Sequence, residues 1–220
     1  MAKVIIFGTK DLAELAHFYL TNDSSHEVVA FTVHSNYLPE IHRFCNLPIL
    51  PFESIDEQFS PSEFSFFAPM THLGMNKERE RVYNEIKAKG YQLISYISSK
   101  ATIFGNLKVG DNCFILEDNT IQPFVTIGSN TVLWSGNHIG HHSQIGNHVF
   151  ITSHVVISGN CIIKPYCFIG VNTSLKDNIL VDEGTFLAMS SCVTNDTEPY
   201  SVYKGNPARK IQMSSLKIRF

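Results

Sequence analysis

Five of the ten histidines lie between positions 138 and 154, in the run SGNHIGHHSQIGNHVFITSH. Imidazole can take up and release a proton near neutral pH, so a histidine facing a groove is a candidate general base. The same density of imidazole raises metal ligation as an alternative. His142, His148 and His154 share one phase but stand six residues apart, and the adjacent His141 and His142 are expected to diverge. Ligands of one ion must meet in one shell, so this spacing speaks against a metal site. A third reading is that these residues simply fill outward polar positions. A second locus is GTKDLA, where Gly8, Thr9, Lys10 and Asp11 connect an apolar strand to a helix. Amides at a helix N-terminus suit an anion, and Asp11 can cap them.

What must position the histidines is a repeat. An isoleucine, leucine or valine recurs at every sixth residue from Ile103 to Val193. Helices repeat near 3.6 residues and strands near 2, so a strict six calls for a hexapeptide parallel β-helix. Three such units close one triangular coil whose aliphatic residues stack on those of the next. Gly110, Gly128, Gly140, Gly146 and Gly170 directly follow the aliphatic residue. Small or branched residues such as Cys113, Thr131, Ser143, Val155 and Cys161 stand four places after it, as a tight inward corner requires. Roughly five coils at ~4.8 Å each give a prism about 25 Å tall.

Residues 1 to 98 lack this register and read as a small α/β domain with a parallel sheet of the nucleotide-binding kind. Strands are expected at Lys3 to Gly8, His26 to His34, Ser65 to Ala68 and Tyr91 to Ile97, with helices after Gly8 and over Lys77 to Lys89. The prism and its tail take residues 99 to 220, with Pro199 and Pro207 excluding one regular helix across the tail. The ends of a β-helix need covers, which the N-terminal domain and the tail can supply.

Composition narrows the partners. A formal charge of −3 and a pI near 6.3, without a Lys/Arg cluster, exclude a general nucleic-acid surface. Five cysteines, three at inward corners, fit a reduced cytoplasmic chain, and no stretch approaches the ~20 apolar residues of a membrane span.

The hexapeptide prism, the α/β domain before it, the histidine in IGHHSQIG and the closing YKGNPARKI together resemble the sialic-acid and bacterial amino-sugar O/N-acetyltransferases of the left-handed β-helix superfamily. The left hand comes from that resemblance alone, since crossovers are generally right-handed. The resemblance implies a homotrimer using acetyl-CoA and a nucleotide-linked amino sugar, without a required metal. It makes His141 the general base, so the cysteines are not needed as nucleophiles. His142 stands where relatives carry an acidic residue, and Phe150 where they carry a cofactor-contacting histidine. Phe150 is therefore expected against the pantetheine arm, and the Gly159 amide at the thioester oxygen. Ser153, Val171 and Met189 are expected to line the cofactor tunnel, with Lys204 and Arg209 near CoA phosphates. On the sugar-nucleotide side the resemblance points to the Gly8–Asp11 turn, His72, Gly74 and His142. O-acetylation of a sugar, a γ-carbonic-anhydrase-like metalloenzyme and a non-catalytic prism are the competing readings. Trp134 is expected to face outward.

Overall fold

The computed structural model describes residues 1–219. They divide into two compact units, one of residues 1–71 and 81–96, the other of residues 72–80 and 97–219. The single break expected near residue 98 is thus accompanied by a nine-residue strap, 72–80, that groups with the prism.

The first unit carries β1 (Lys3–Phe7), α1 (Asp11–Asn22), β2 (Glu27–Val33), β3 (Arg43–Phe44), β4 (Leu47–Pro51), β5 (Phe64–Phe67), most of α2 (Lys77–Ala88) and β6 (Gln92–Leu93). The sheet order is β3-β4-β2-β1-β5-β6, parallel except for the β3–β4 hairpin. The chain runs outward from β1 through β2, then crosses back to β5. That reversal makes a topological switch point at the carboxyl ends of β1 and β5, where open α/β sheets place ligands. Ile5, Phe52, Ile55, Phe66, Val82, Ile86 and Tyr91 fill its core. The β3–β4 hairpin was not expected, because Pro48 and Pro51 weaken a strand signal. The expected strand from Tyr91 to Ile97 is two short pieces, Gln92–Leu93 and Tyr96–Ile97.

In the second unit two-residue strands recur every six residues and pair in parallel with the strand eighteen residues on. They stack into three faces. Face one contains Thr120–Ile121, His138–Ile139 and Val156–Ile157; face two Thr126–Ile127, Gln144–Ile145 and Ile162–Ile163; face three Val132–Leu133, Phe150–Ile151 and Phe168–Ile169. From Ile115 to Val193 every aliphatic residue of the series is at most 3% exposed. The small residues four places later are buried as well, and their polar atoms are satisfied by backbone carbonyls fifteen residues on. Thr131, Ser143 and Thr173 hydroxyls donate to Gly146, Ser158 and Ala188, while the Cys113, Cys161 and Cys167 thiols donate to Gly128, Lys176 and Asp182. Cysteine stands in for serine at these corners. Burial pushes the Cys167 thiol up to about 12, far from a nucleophile's range.

From Val109 to Leu187, the third residue after each aliphatic position takes a positive φ. Asparagine fills five of these places, Asn112, Asn130, Asn160, Asn172 and Asn178, as its tolerance of the left-handed region predicts. His142, His148, His154, Phe124 and Tyr166 occupy the same conformation. The tail forms an antiparallel hairpin of Ser201–Lys204 and Arg209–Ser214 whose first strand pairs with Phe186–Leu187, and Ala208 joins the prism core. No helix among the described residues is long and apolar enough to cross a membrane.

Candidate active site

His141 stands at the corner between faces one and two, exposed, with its backbone N–H donating to Gln122 Oε1 at 2.9 Å. One coil on, Gly159 lies beneath its ring. A Cβ at Gly159 would stand 2.6 Å from His141 Cε1 and 2.8 Å from Nε2, so the missing side chain is what lets the imidazole rest on the backbone. His141 Nδ1 is 3.1 Å from His142 Nδ1. The divergence expected for these neighbours does not occur, because the left-handed backbone of His142 turns its side chain back along the corner. His141 Nε2 has no hydrogen-bond partner among the described residues, which leaves a lone pair or a proton available to a ligand.

The Gly159 N–H donates to Asp177 Oδ1 at 2.9 Å, so the amide expected at a thioester oxygen is already engaged in this structure. His142 is covered on one side by Phe124, with ring centroids 4.6 Å apart and planes inclined by 35°. Phe124 itself is 73% exposed. Gln122, Phe124 and Asp177 were not foreseen. The eighteen-residue column that links His141 to Gly159 reaches Asp177 when carried one coil further, and Phe124 lies one coil before His142.

The remaining expected cofactor residues lie elsewhere. Ser153, Val171 and Met189 form a column at the corner between faces three and one, so one chain does not bring them to His141. Phe150 is 4% exposed and does not face a ligand. It belongs to a ladder on face three with Phe168 and Phe186, whose rings stack at 5.9 and 4.8 Å. The strap covers that ladder. The His72 ring meets Phe150 at 4.9 Å and Phe168 at 4.6 Å, and the Arg79 guanidinium lies 5.5 Å from the Phe150 ring centre. Arg79 is fully buried, donates to the carbonyls of Asn130 (2.6 Å) and Val149 (3.3 Å), and burial lowers its pKa to about 9. Burial, with Arg79 nearby, lowers His72 to about 4. His72 is therefore a packing residue on the prism. Gly74, exposed with φ +60°, supplies the turn that aims the strap.

His148 holds the corner between faces two and three. Its Nδ1 bonds the Asn130 amide at 2.9 Å, its ring stacks on Tyr166 at 5.3 Å, and Tyr166 donates to Glu80 of the strap at 2.6 Å. Burial lowers His148 to about 4 despite Glu80. His154 rests against Gly136 at the third corner. The three histidines thus leave the prism by three different corners, as the six-residue spacing requires. A concavity of about 680 Å³ lies along the second corner over Gly110, Gly128 and Gly146, away from His141. There the glycines answer close coil packing, since a Cβ on Gly128 would meet the Asn147 backbone at 2.7 Å.

Lys204 and Arg209 face one another across the mouth of the tail hairpin, both exposed. In the first unit, Gly8 has φ +121° and its N–H donates to Thr32 O at 2.8 Å, closing the turn after β1. The N-cap of α1 is Lys10, without a side-chain cap bond, and Asp11 is its first helical residue. Asp11 therefore favours the helix through its place in the first turn and not as a cap. No acidic pair ends β2, yet Glu53 supplies a carboxylate there, accepting from Ser35 Oγ at 2.6 Å and from its backbone N–H.

The family model for the bacterial transferase hexapeptide, six repeats, matches residues 106–141 and 125–159. A probable macrolide acetyltransferase of Lysinibacillus sphaericus is 38% identical over 55 residues, and the match spans only 31% of that protein and 24% of this chain. Among solved structures the acetyltransferase domain of PglB from Neisseria gonorrhoeae superposes with a TM-score of 0.84 at 16% identity, covering 96% of this chain and 100% of that one. PerB from Caulobacter crescentus, solved with CoA and GDP-perosamine, gives 0.83 at 15% identity over 96% and 98% of the two chains. WeeI from Acinetobacter baumannii gives 0.73 at 16% identity over 96% and 100%. The chain thus carries hexapeptide repeats and has the fold of a left-handed β-helix that follows a small α/β unit in sequence, an architecture it shares with the acetyltransferase domain of PglB and with PerB.

Proposed function

We propose that the chain is an acetyl-CoA-dependent N-acetyltransferase acting on a nucleotide-linked 3-amino or 4-amino, 6-deoxy sugar, in the service of surface polysaccharide synthesis. The observation that carries this reading is His141, an exposed imidazole seated on bare backbone with Nε2 unengaged. Similarity to PerB, whose structure holds CoA and GDP-perosamine, supports the substrate class. His141 Nε2 takes a proton from the sugar amine as its nitrogen bonds the acetyl carbon. The tetrahedral adduct then collapses, the C–S bond breaks, and the thiolate of CoA leaves to be protonated, so no covalent enzyme intermediate is needed. The switch point beside the Gly8–Asp11 turn is the candidate seat of the nucleotide, and Lys204 and Arg209 are candidates for CoA phosphates. The separation of His141 from the Ser153, Val171 and Met189 column supports a site shared between neighbouring prisms, as a closed homotrimer provides.

Release of CoA thiol from acetyl-CoA, measured with UDP-, GDP- and dTDP-linked 3-amino and 4-amino deoxysugars, tests the proposal. Turnover with an amino sugar that falls by roughly 10² to 10⁴ in His141→Asn is the expected result. Undiminished turnover in that variant removes His141 as base. No turnover with any amino sugar, but turnover with a hydroxyl acceptor, overturns N-acetylation.

A further inference from the structure

The geometry points to His142 as the residue that fixes the tautomer and orientation of His141, with Phe124 clamping the His142 ring. The inference rests on His141 being the base. Two Nδ1 atoms 3.1 Å apart can bond only if one proton lies between them. Placing it on His141 makes His142 Nδ1 the acceptor, puts the other proton of that ring on Nε2, and leaves the His141 Nε2 lone pair free for work. Among the described residues no carboxylate bonds the His141 ring. The His141 side chain has His142 as its one hydrogen-bond partner among the described residues, and Asp177 is given to the Gly159 N–H.

Phe124 supports the assignment by its cost. At φ +68° a bulky side chain is strained by roughly 1–2 kcal/mol, and at 73% exposure it recovers little through burial within its own chain. Its one ring contact among the described residues is His142. The neighbouring corner shows the same pairing put to a structural end. There His148 and Tyr166 stack within 8° of parallel, and the strap seals them through Glu80. The His142–Phe124 pair has no such cover from the described residues of its own chain and lies beside the base. A neutral imidazole thus does the positioning that a carboxylate performs in many base pairs.

The test uses the whole chain with ¹⁵N-labelled histidine. Tautomer-sensitive NMR at alkaline pH should report His141 as Nδ1–H and His142 as Nε2–H. His142→Gly keeps the left-handed backbone without strain and removes the acceptor. It should lower kcat about 10- to 100-fold with KM little changed, and should shift His141 toward a mixture of tautomers. His142→Asn restores an acceptor at the same place in a residue suited to that backbone, and should recover most of both signals. Phe124→Asn should cost a few-fold in kcat. His141 remaining Nδ1–H in His142→Gly, or wild-type turnover in that variant, overturns the inference. The spectra need no substrate, so if no sugar nucleotide is acetylated they still decide the role of His142, while the functional reading falls separately.

Discussion

At position 159 a single missing methyl group holds the site open. Replacing Gly159 by alanine places a Cβ 2.6 Å from His141 Cε1, and the exposed ring is free to swing away. Gly159→Ala should therefore lower kcat by at least 10-fold while leaving the urea midpoint close to wild type, which paired kinetic and unfolding measurements will separate. His141 was legible in the sequence because its motif and its repeat phase agree. Its pairing with His142 was not, because neighbours on extended backbone diverge, and only the positive φ at position 142 brings the two rings together. The bond from the Gly159 amide to Asp177 was hidden for a similar reason, since its partner lies a full coil away.

Among elements, the six-residue series was the plainest signal, and each strand adds one buried aliphatic side chain to the stack. Ile157 sits mid-stack with no exposed surface, between Ile139 and Leu175. Ile157→Ala should cost about 2–5 kcal/mol of stability, read from urea unfolding, because neighbouring coils cannot close the cavity without breaking register. The pattern identifies what points inward but not what covers the outside. Phe150 was accordingly assigned to a ligand, whereas the outward Phe150, Phe168 and Phe186 ladder is claimed by His72 and Arg79 of the strap. In the strap, His72 and Gly74 were assigned to the sugar side and Lys77 to a helix start, because the partners that seat it on the prism lie more than fifty residues on. Strand β4 escaped for a local reason, its two prolines.

On the scale of the whole molecule, two histidines with desolvated rings tie stability to pH. His72 and His148 are both lowered from 6.5 to about 4, chiefly by burial. Between these values the unfolded chain binds protons that the folded chain refuses, so stability is full above about pH 6.5 and declines as the pH falls toward 4. Around His148, Glu80 and Asp111 oppose the shift, whereas Arg79 and Lys77 reinforce it. The urea midpoint should drop over this window, with His148 contributing at most about 3 kcal/mol. His148→Asn, which suits the positive φ and can bond Asn130, should flatten that part of the profile.

The strap also sets a schedule for synthesis. Arg79 leaves the ribosome ahead of both carbonyls it will bond, which follow 51 and 70 residues later, and Asn76 precedes its acceptors by 90 and 91. At about 5–20 residues per second, the guanidinium waits roughly 4 to 14 s for its second acceptor, and Asn76 as long as about 18 s. Phe150, Phe168 and Phe186 emerge only after the last acceptor of Arg79, so the strap is synthesised ahead of every ring it will cover, before the growing prism can present its phenylalanines to other nascent chains.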